Sequence, residues 1–87
     1  MATIPDVVLS GAAYQDLYAA TGIVVGTAVT VQNKTSTVVY LQNIATSPTA
    51  SSKNGIALQP YTMVDVTGTI VGLWAKGTGA ISVEVIT

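Results

Sequence analysis

The chain has 87 residues and a formal net charge of −1; 49% of its residues are hydrophobic and only 8% are charged, whereas roughly a quarter of the residues in ordinary soluble domains are charged. This length predicts one domain over residues 1–87, and a small domain so poor in charge is expected to bury part of its surface against copies of itself or against another protein. The absence of histidine and cysteine excludes Ser-His and Cys-His nucleophiles, imidazole or thiolate metal sites, and disulfides.

The first predicted strand runs from Ile4 to Leu9, in the run TIPDVVL. Pro5 cannot donate a ladder hydrogen bond, which favours an edge or strand-start position. In the following run YQDLYAATG, two tyrosines and a leucine are spaced i, i+3 and i+4, and Gly22 follows as a stop signal. This spacing is typical of a helical turn, with an irregular loop as the alternative, between Ala13 and Ala20.

The run GTAVTVQNKTSTVVYLQNIA predicts two strands, Thr27–Gln32 and Thr37–Ala45, joined by the polar turn Asn33–Ser36. The segment from Thr46 to Gly55 is rich in serine and threonine and contains Pro48 and an Asn-Gly pair. These residues are turn signals, so the segment predicts an exposed loop.

The C-terminal part of the chain predicts three more strands. The run YTMVDVTG alternates over Tyr61–Val66 and ends at Gly68. The chain continues with Ile70–Lys76, a turn at Gly77–Gly79 and Ala80–Ile86, where apolar and polar residues alternate most regularly. We interpret the last two segments as a C-terminal hairpin whose inner face belongs to the core.

Six or seven short strands at intervals of roughly 8 to 12 residues predict an all-β fold, a small antiparallel β-sandwich or barrel of jelly-roll-like type. Apolar and aromatic side chains in the later strands are expected to anchor the core or an interface. These residues are Trp74, Tyr61, Val83 and Val85.

The carboxylates are the available candidates for acid–base chemistry. Asp65 and Glu84 could meet across strands as a pair, but β-sheets routinely place charges on their solvent faces, which is the interpretation that we favour. The glycines lack the following helix that a phosphate-binding loop requires, so they are expected to be turn residues. The sequence therefore predicts a protein that is not an enzyme and that binds no cofactor and no metal.

The aromatic side chains permit a second interpretation, since exposed tyrosine and tryptophan rings stack on sugars. They are Tyr14, Tyr18, Tyr40, Tyr61 and Trp74. A protein without phenylalanine needs such rings for its core, and tyrosine and tryptophan are also frequent interface anchors. Carbohydrate binding is therefore the alternative to a structural role.

Neither nucleic acid nor a membrane is an expected partner. The lysines, Lys34, Lys53 and Lys76, are far apart in the sequence, whereas phosphate binding depends on clustered basic charge. The most apolar stretch, Gly22–Val31, covers about half of the roughly 20 residues that a membrane-spanning helix needs. The opening run MATIPDVVLS lacks the basic and apolar regions of a secretory signal, so use without export is expected.

The chain from Tyr14 to Val85 resembles a pattern that recurs in small virion structural proteins of tailed bacteriophages. The resemblance rests on the runs YQDLYAATGIVVGTAVTVQNKTSTVVYL, GIALQP and GLWAKGTGAISVEV, with Pro48 between the first two. In that pattern, DLY and a glycine-containing loop precede a strand ending in QN, and a Trp-Ala-basic strand precedes a valine-rich one. The resemblance assigns a structural role to the matching positions, which are Gly26, Gln32, Asn33, Gly55 and Trp74.

The resemblance implies a non-enzymatic phage component, made in the bacterial cytoplasm and built into the virion. The leading hypothesis is a capsid decoration or accessory protein that binds other virion proteins, such as the major capsid protein, and reinforces the particle. A tail or head-to-tail component is the alternative among structural proteins.

The low charge content also predicts a homo-oligomer, because oligomers bury such a surface symmetrically. A trimer is the first expectation, by family analogy, and a dimer the second. The contact is expected from the terminal strands Ile4–Leu9 and Ala80–Ile86, since terminal strands often lie at sheet edges whose backbone groups need a partner.

Overall fold

The computed structural model describes residues 6–11, 13–49, 51 and 55–86. In chain order, these residues form eight strands and one short helix. The elements are β1 (Val7–Ser10), β2 (Gln15–Asp16), α1 (Leu17–Thr21), β3 (Val29–Asn33), β4 (Val39–Gln42), β5 (Ile56–Leu58), β6 (Met63–Val66), β7 (Trp74–Lys76) and β8 (Thr78–Val85).

The strands build two antiparallel sheets. Sheet I has the order β1-β8-β3-β6, and sheet II has the order β2-β7-β4-β5. The all-β prediction is confirmed, and because the sheets do not close into a barrel, the architecture is an open sandwich. The short strands β2 and β5, of 2 and 3 residues, lie outside the predicted strands and raise the number above six or seven.

The inner faces of both sheets meet in one core of buried apolar side chains. On β3, Val31 is fully buried and lies opposite Val83 of β8 and Val64 of β6, so a row of valines crosses sheet I. Leu41 and Ala75 form the facing row of sheet II. Branched side chains pack well on such pleated, half-buried surfaces, which is why the valine-rich runs become strands.

β7 and β8 do not form the predicted C-terminal hairpin. β7 pairs with β2 and β4 in sheet II, whereas β8 pairs with β1 and β3 in sheet I. Gly77 is the single residue between them, and a Cβ atom there would lie 2.8 Å from Cγ2 of Val39. Glycine therefore lets the chain pass close to β4 while it crosses from one sheet to the other.

The two terminal strands occupy different positions in sheet I. β1 is an edge strand, as predicted for the N-terminal strand, although Ile4 and Pro5 lie outside the described residues. β8 lies between β1 and β3, so the prediction that the C-terminal strand is an edge strand is wrong. β8 pairs with β1 through residues 78–81 and with β3 through residues 81–85, so it bridges the two strands within sheet I.

The short helix α1 lies in the segment that predicts a helical turn. The Asp16 carboxylate caps it by accepting hydrogen bonds from the backbone N–H groups of Tyr18 and Ala19 at 3.0 and 3.2 Å. Gly22 ends it in the left-handed conformation, with φ of 76°. Aspartate and glycine are favoured at these two capping positions. The helix directs the next loop to the end of the sandwich where β3 begins.

A buried asparagine joins the two sheets at the opposite end. Nδ2 of Asn33 lies 2.7, 3.0 and 3.2 Å from the carbonyl oxygens of Thr37, Leu58 and Gln59. Its Oδ1 accepts hydrogen bonds from the N–H and Oγ1 of Thr35 at 2.9 and 2.7 Å. The predicted polar turn after β3 is therefore an arch from sheet I to sheet II, and the strands that it joins are not partners.

Candidate interaction surfaces

The two carboxylates considered for acid–base chemistry lie on the outer face of sheet I. Asp65 and Glu84 are the cross-strand neighbours of Thr30 on its two sides. The Thr30 hydroxyl donates to Oδ1 of Asp65 at 2.7 Å. Because β3 lies between the strands that carry them, the Cα atoms of the two acidic residues are two inter-strand spacings apart, about 9 to 10 Å. Both lie on the solvent face, as predicted, and they form an acidic row.

The buried polar side chains in the described part of the chain are all satisfied. Every buried side-chain nitrogen and oxygen of these residues has a hydrogen bond. No group of three or more acidic side chains in the described ranges could hold a metal ion. No helix in these ranges is long and apolar enough to cross a membrane.

Trp74 is half-buried and links two segments at the ends of strands. Its indole Nε1 donates to the carbonyl oxygen of Ile44 at 3.1 Å. Gly72 approaches the same carbonyl so closely that a Cβ atom would not fit. Trp74 therefore holds the segment after β4 against the segment before β7, which is the role of a structural anchor.

Tyr61 projects into solvent and is 67% exposed, so its prediction as a core anchor is wrong. It occupies the third position of a turn in which the N–H of Thr62 donates to the carbonyl of Gln59 at 3.3 Å. Its φ of 59° is the one positive value found for a non-glycine residue in the described chain. That conformation costs a bulky residue on the order of 1 kcal/mol. The interface role of its exposed ring stays a prediction.

The two valines of β8 have different surroundings. Val83 is 1% exposed and belongs to the core. Val85 is half-buried at the end of the strand, opposite Val29. The sequence-predicted anchors are therefore not one site: Val83 packs inside, Trp74 begins β7 of sheet II, and Tyr61 lies in the turn between β5 and β6.

One end of the sandwich carries no charged residue among those that are described. It is defined here as residues 22–28 before β3, 43–49 after β4, 67–73 before β7, and Ile86. Val29, the first residue of β3, pairs with the last residues of β6 and β8, which brings 22–28, 67–73 and Ile86 together. The side chain of Asn43 joins the segment after β4 to 67–73 through hydrogen bonds with Thr69 and Val71. Their sequences, GIVVGTA, NIATSPT and TGTIVGL, contain no acidic or basic residue. We call this region the uncharged end.

Large apolar side chains project from the uncharged end into solvent. Val24 is 78% exposed, Val25 is 54% exposed and Val71 is 52% exposed. Their two loops lie side by side, since a Cβ atom on Gly26 would come 3.7 Å from the carbonyl oxygen of Ile70. Clusters of exposed apolar side chains are typical of docking surfaces.

Hydrogen bonds to the scaffold hold the loops of the uncharged end. The Tyr18 hydroxyl of α1 donates to the carbonyl oxygen of Thr27 at 2.7 Å. The N–H of Thr27 in turn donates to the carbonyl of Val24 at 3.1 Å and closes a turn. In the other loop, the N–H of Val71 donates to Oδ1 of Asn43 at 3.0 Å. The exposed valines thus project from turns whose backbone is fixed.

A cleft of about 420 Å³ extends the apolar surface beside the uncharged end. It lies between the sheets on the side of β5 and β6, and its apolar lining includes Leu41, Ile56, Val66 and Leu73. Asn43 also lines it, but both polar atoms of this side chain are engaged with the loop 67–73. The cleft therefore adds apolar area and few free polar groups.

The uncharged end is not among the sites that the sequence predicts. The apolar run GIVVGTAVTV draws attention only as a membrane span, for which it is too short. The first part of this run does contain a signal for an exposed apolar loop. In GIVVG, two valines stand between glycines that favour turns, and a loop exposes apolar residues at such positions. The run TIVG before Leu73 repeats this combination of apolar residues with glycine.

No protein-family model matches this chain, and neither the curated proteins nor the solved structures provide a match.

Proposed function

We propose that this protein is a non-enzymatic structural component that docks into a larger protein assembly through its uncharged end. The observation that supports this proposal is the group of exposed valines on turns that the scaffold holds in place. Burial of apolar area is the dominant favourable term in most protein association. Desolvating a charged group opposes binding, and the described residues of this surface include no charged group.

The specific assignment is a bacteriophage virion protein, and within that class a capsid decoration or accessory protein that reinforces the particle. The sequence resemblance supports it, and it implies structural roles at the matching positions. Asn33 joins the two sheets, Trp74 joins two strand ends, and Gly55 lies against the Leu41 carbonyl where no Cβ atom fits. A tail or head-to-tail component is the alternative within the same class.

The assignment is tested on purified virions of a phage that carries this chain. Quantitative mass spectrometry should find the chain in many copies per particle, and cryo-electron microscopy should place it on the capsid with the uncharged end covered. Location in the tail selects the alternative. Absence from purified virions contradicts the virion assignment, and a bound chain whose uncharged end faces solvent contradicts the docking surface.

Carbohydrate binding is the second candidate, and the exposed ring of Tyr61 is the observation that favours it. Isothermal titration with host surface polysaccharide distinguishes the two. Under the leading proposal, the protein shows no saturable heat of binding. Saturable binding that disappears in Tyr61→Ala, but persists in the matched control Met63→Ala on the neighbouring strand, establishes the sugar-binding function instead.

A further inference from the structure

We infer that Asn33 is an acceptor for N-linked sugar in the unfolded chain only, and that folding closes this modification site. The tripeptide Asn33-Lys34-Thr35 has the acceptor pattern Asn-X-Ser/Thr, with X other than proline. The other two asparagines of the chain, Asn43 and Asn54, are not followed by this pattern. Acceptor tripeptides are expected on exposed loops, whereas the structure buries this one. This property is independent of the proposed docking surface.

The chemistry of the modification makes a direct demand on the side-chain nitrogen. The donor is an oligosaccharide bonded through its anomeric carbon to the diphosphate of a lipid carrier. In the transfer, Nδ2 of the asparagine loses one hydrogen as a proton and forms a bond to that carbon, while the bond from the carbon to the diphosphate breaks and the lipid diphosphate leaves. The nitrogen must therefore be accessible, and one of its hydrogens must be replaceable.

The contacts within the tripeptide are local and form a turn. Oδ1 of Asn33 accepts hydrogen bonds from the N–H of Thr35 at 2.9 Å and from its Oγ1 at 2.7 Å. A turn in which an asparagine side chain bonds the backbone two residues later forms without the rest of the fold. These contacts use the oxygen of the amide and leave the nitrogen to other partners.

The contacts that close the site come from elsewhere in the chain. Nδ2 of Asn33 lies 3.0 and 3.2 Å from the carbonyl oxygens of Leu58 and Gln59, which follow 25 and 26 residues later, and 2.7 Å from that of Thr37. An amide nitrogen carries two hydrogens, so three carbonyl groups share both of them. Asn33 is also 0% exposed. The folded sandwich therefore leaves the nitrogen neither access nor a replaceable hydrogen.

Folding and modification consequently compete for the same nitrogen. A sugar on Nδ2 would remove one of the donors on which the carbonyls of Thr37, Leu58 and Gln59 depend, and a buried carbonyl without a partner is costly. Its bulk would also hold the end of β5 away from the end of β3. A chain that folds before it meets an oligosaccharyltransferase keeps Asn33 unmodified, whereas a chain that is modified first cannot close the arch.

A purified oligosaccharyltransferase with a lipid-diphosphate-linked chitobiose donor tests the inference, and intact-mass spectrometry counts the sugars that are added. The folded control is Thr67→Asn, which places an Asn-Gly-Thr tripeptide in the exposed segment 67–69. The unfolded acceptor is the double variant Leu41→Asp, Val83→Asp, which puts one carboxylate on each inner face at positions that are 1% exposed. Circular dichroism establishes the folded state of the first variant and the unfolded state of the second.

The expected result is one sugar on the folded control, at the introduced acceptor, and one on the double variant, located at Asn33 by tandem mass spectrometry. The unmodified protein should gain its sugar at least about 100-fold more slowly than the double variant, because few chains of a stable domain are unfolded at any moment. Adding Thr35→Ala to the double variant should abolish its modification. Transfer to Asn33 of the folded protein within tenfold of the rate at the introduced acceptor overturns the inference. Failure of the double variant to accept sugar, while the folded control does, overturns it as well.

Discussion

Nδ2 of Asn33 donates a hydrogen bond to the backbone carbonyl oxygen of Leu58 at 3.0 Å, and this bond joins the end of β3 in sheet I to the end of β5 in sheet II. The same side chain holds the arch that follows β3 through Thr35 and Thr37. One buried amide therefore positions three segments of backbone at the end of the sandwich opposite the uncharged end.

Replacing Asn33 with alanine should lower the free energy of unfolding by roughly 3 kcal/mol, because buried carbonyl groups would lose their donor. Urea unfolding followed by circular dichroism measures this change. The control is Gln32→Ala, at the half-buried neighbouring position on the outer face, which should stay within about 0.5 kcal/mol of the unmodified protein. Equal stability of the two variants would contradict the structural role of Asn33.

Trp74→Ala should cost about 3 kcal/mol, the lower end of the range for large buried aromatic residues, because the indole is only half-buried. Trp74→Phe keeps most of the apolar contact but removes the donor to Ile44, so it should cost about 1 kcal/mol. Thermal unfolding of both variants provides the comparison. An unchanged melting temperature for Trp74→Ala would show that the ring is free for a ligand.

Tyr61→Gly should preserve the melting temperature or raise it, because glycine adopts the positive φ of this turn without steric cost. Tyr61→Val should lower it, since a β-branched residue is disfavoured in that conformation. Differential scanning calorimetry of the pair measures the backbone strain separately from the loss of the ring. A lower melting temperature for the glycine variant than for the valine variant would refute the strained turn.

Alkaline pH should destabilise the protein through Tyr18. Burial raises the pKa of its hydroxyl above the ordinary value of 10.0, and a backbone hydrogen bond from Gly26 opposes this effect in part. Above pH 10.0 the unfolded chain loses this proton while the folded chain keeps it, so the free energy of unfolding falls as pH rises toward the folded-state pKa. Below that range the stabilising contribution is complete.

The matched variant Tyr18→Phe removes the titrating group and the hydrogen bond to Thr27. It should cost about 1 kcal/mol at neutral pH and should lose part of the alkaline decline in stability. Urea unfolding at several pH values between neutrality and the alkaline range makes the comparison. If the free energy of unfolding fell with pH in parallel for the two proteins, the contribution of Tyr18 would be contradicted.

Most of the strands could be predicted from local patterns, whereas the short strands β2 and β5 could not. Alternation in the run AISVEVI identifies β8, because every second residue must enter the core, and Ile81 and Val83 do so. The helical turn was predictable from spacing and from Gly22, and Asp16 supplies the cap that fixes where α1 begins. Such signals lie within a few residues of the element that they determine.

The pairing of the strands could not be predicted in the same way. A glycine such as Gly77 can link partners within one sheet or strands of facing sheets, and its close approach to Val39, 38 residues earlier in the chain, is not visible in the local pattern. The polar arch at Asn33 is the same case, since its partners Leu58 and Gln59 lie 25 and 26 residues away. The uncharged end escaped prediction for this reason too, because its loops meet only after β3, β6 and β8 are aligned.

The most direct test of the docking surface uses the absence of cysteine from the chain, which makes any introduced cysteine the sole thiol. Val24→Cys and the equally accessible control Val8→Cys are treated with a water-soluble maleimide in the assembled state and after dissociation, and labelling rates are measured by mass spectrometry. We predict that assembly protects the thiol at position 24 and leaves the thiol at position 8 reactive. Equal labelling of both in the assembled state would contradict docking through the uncharged end.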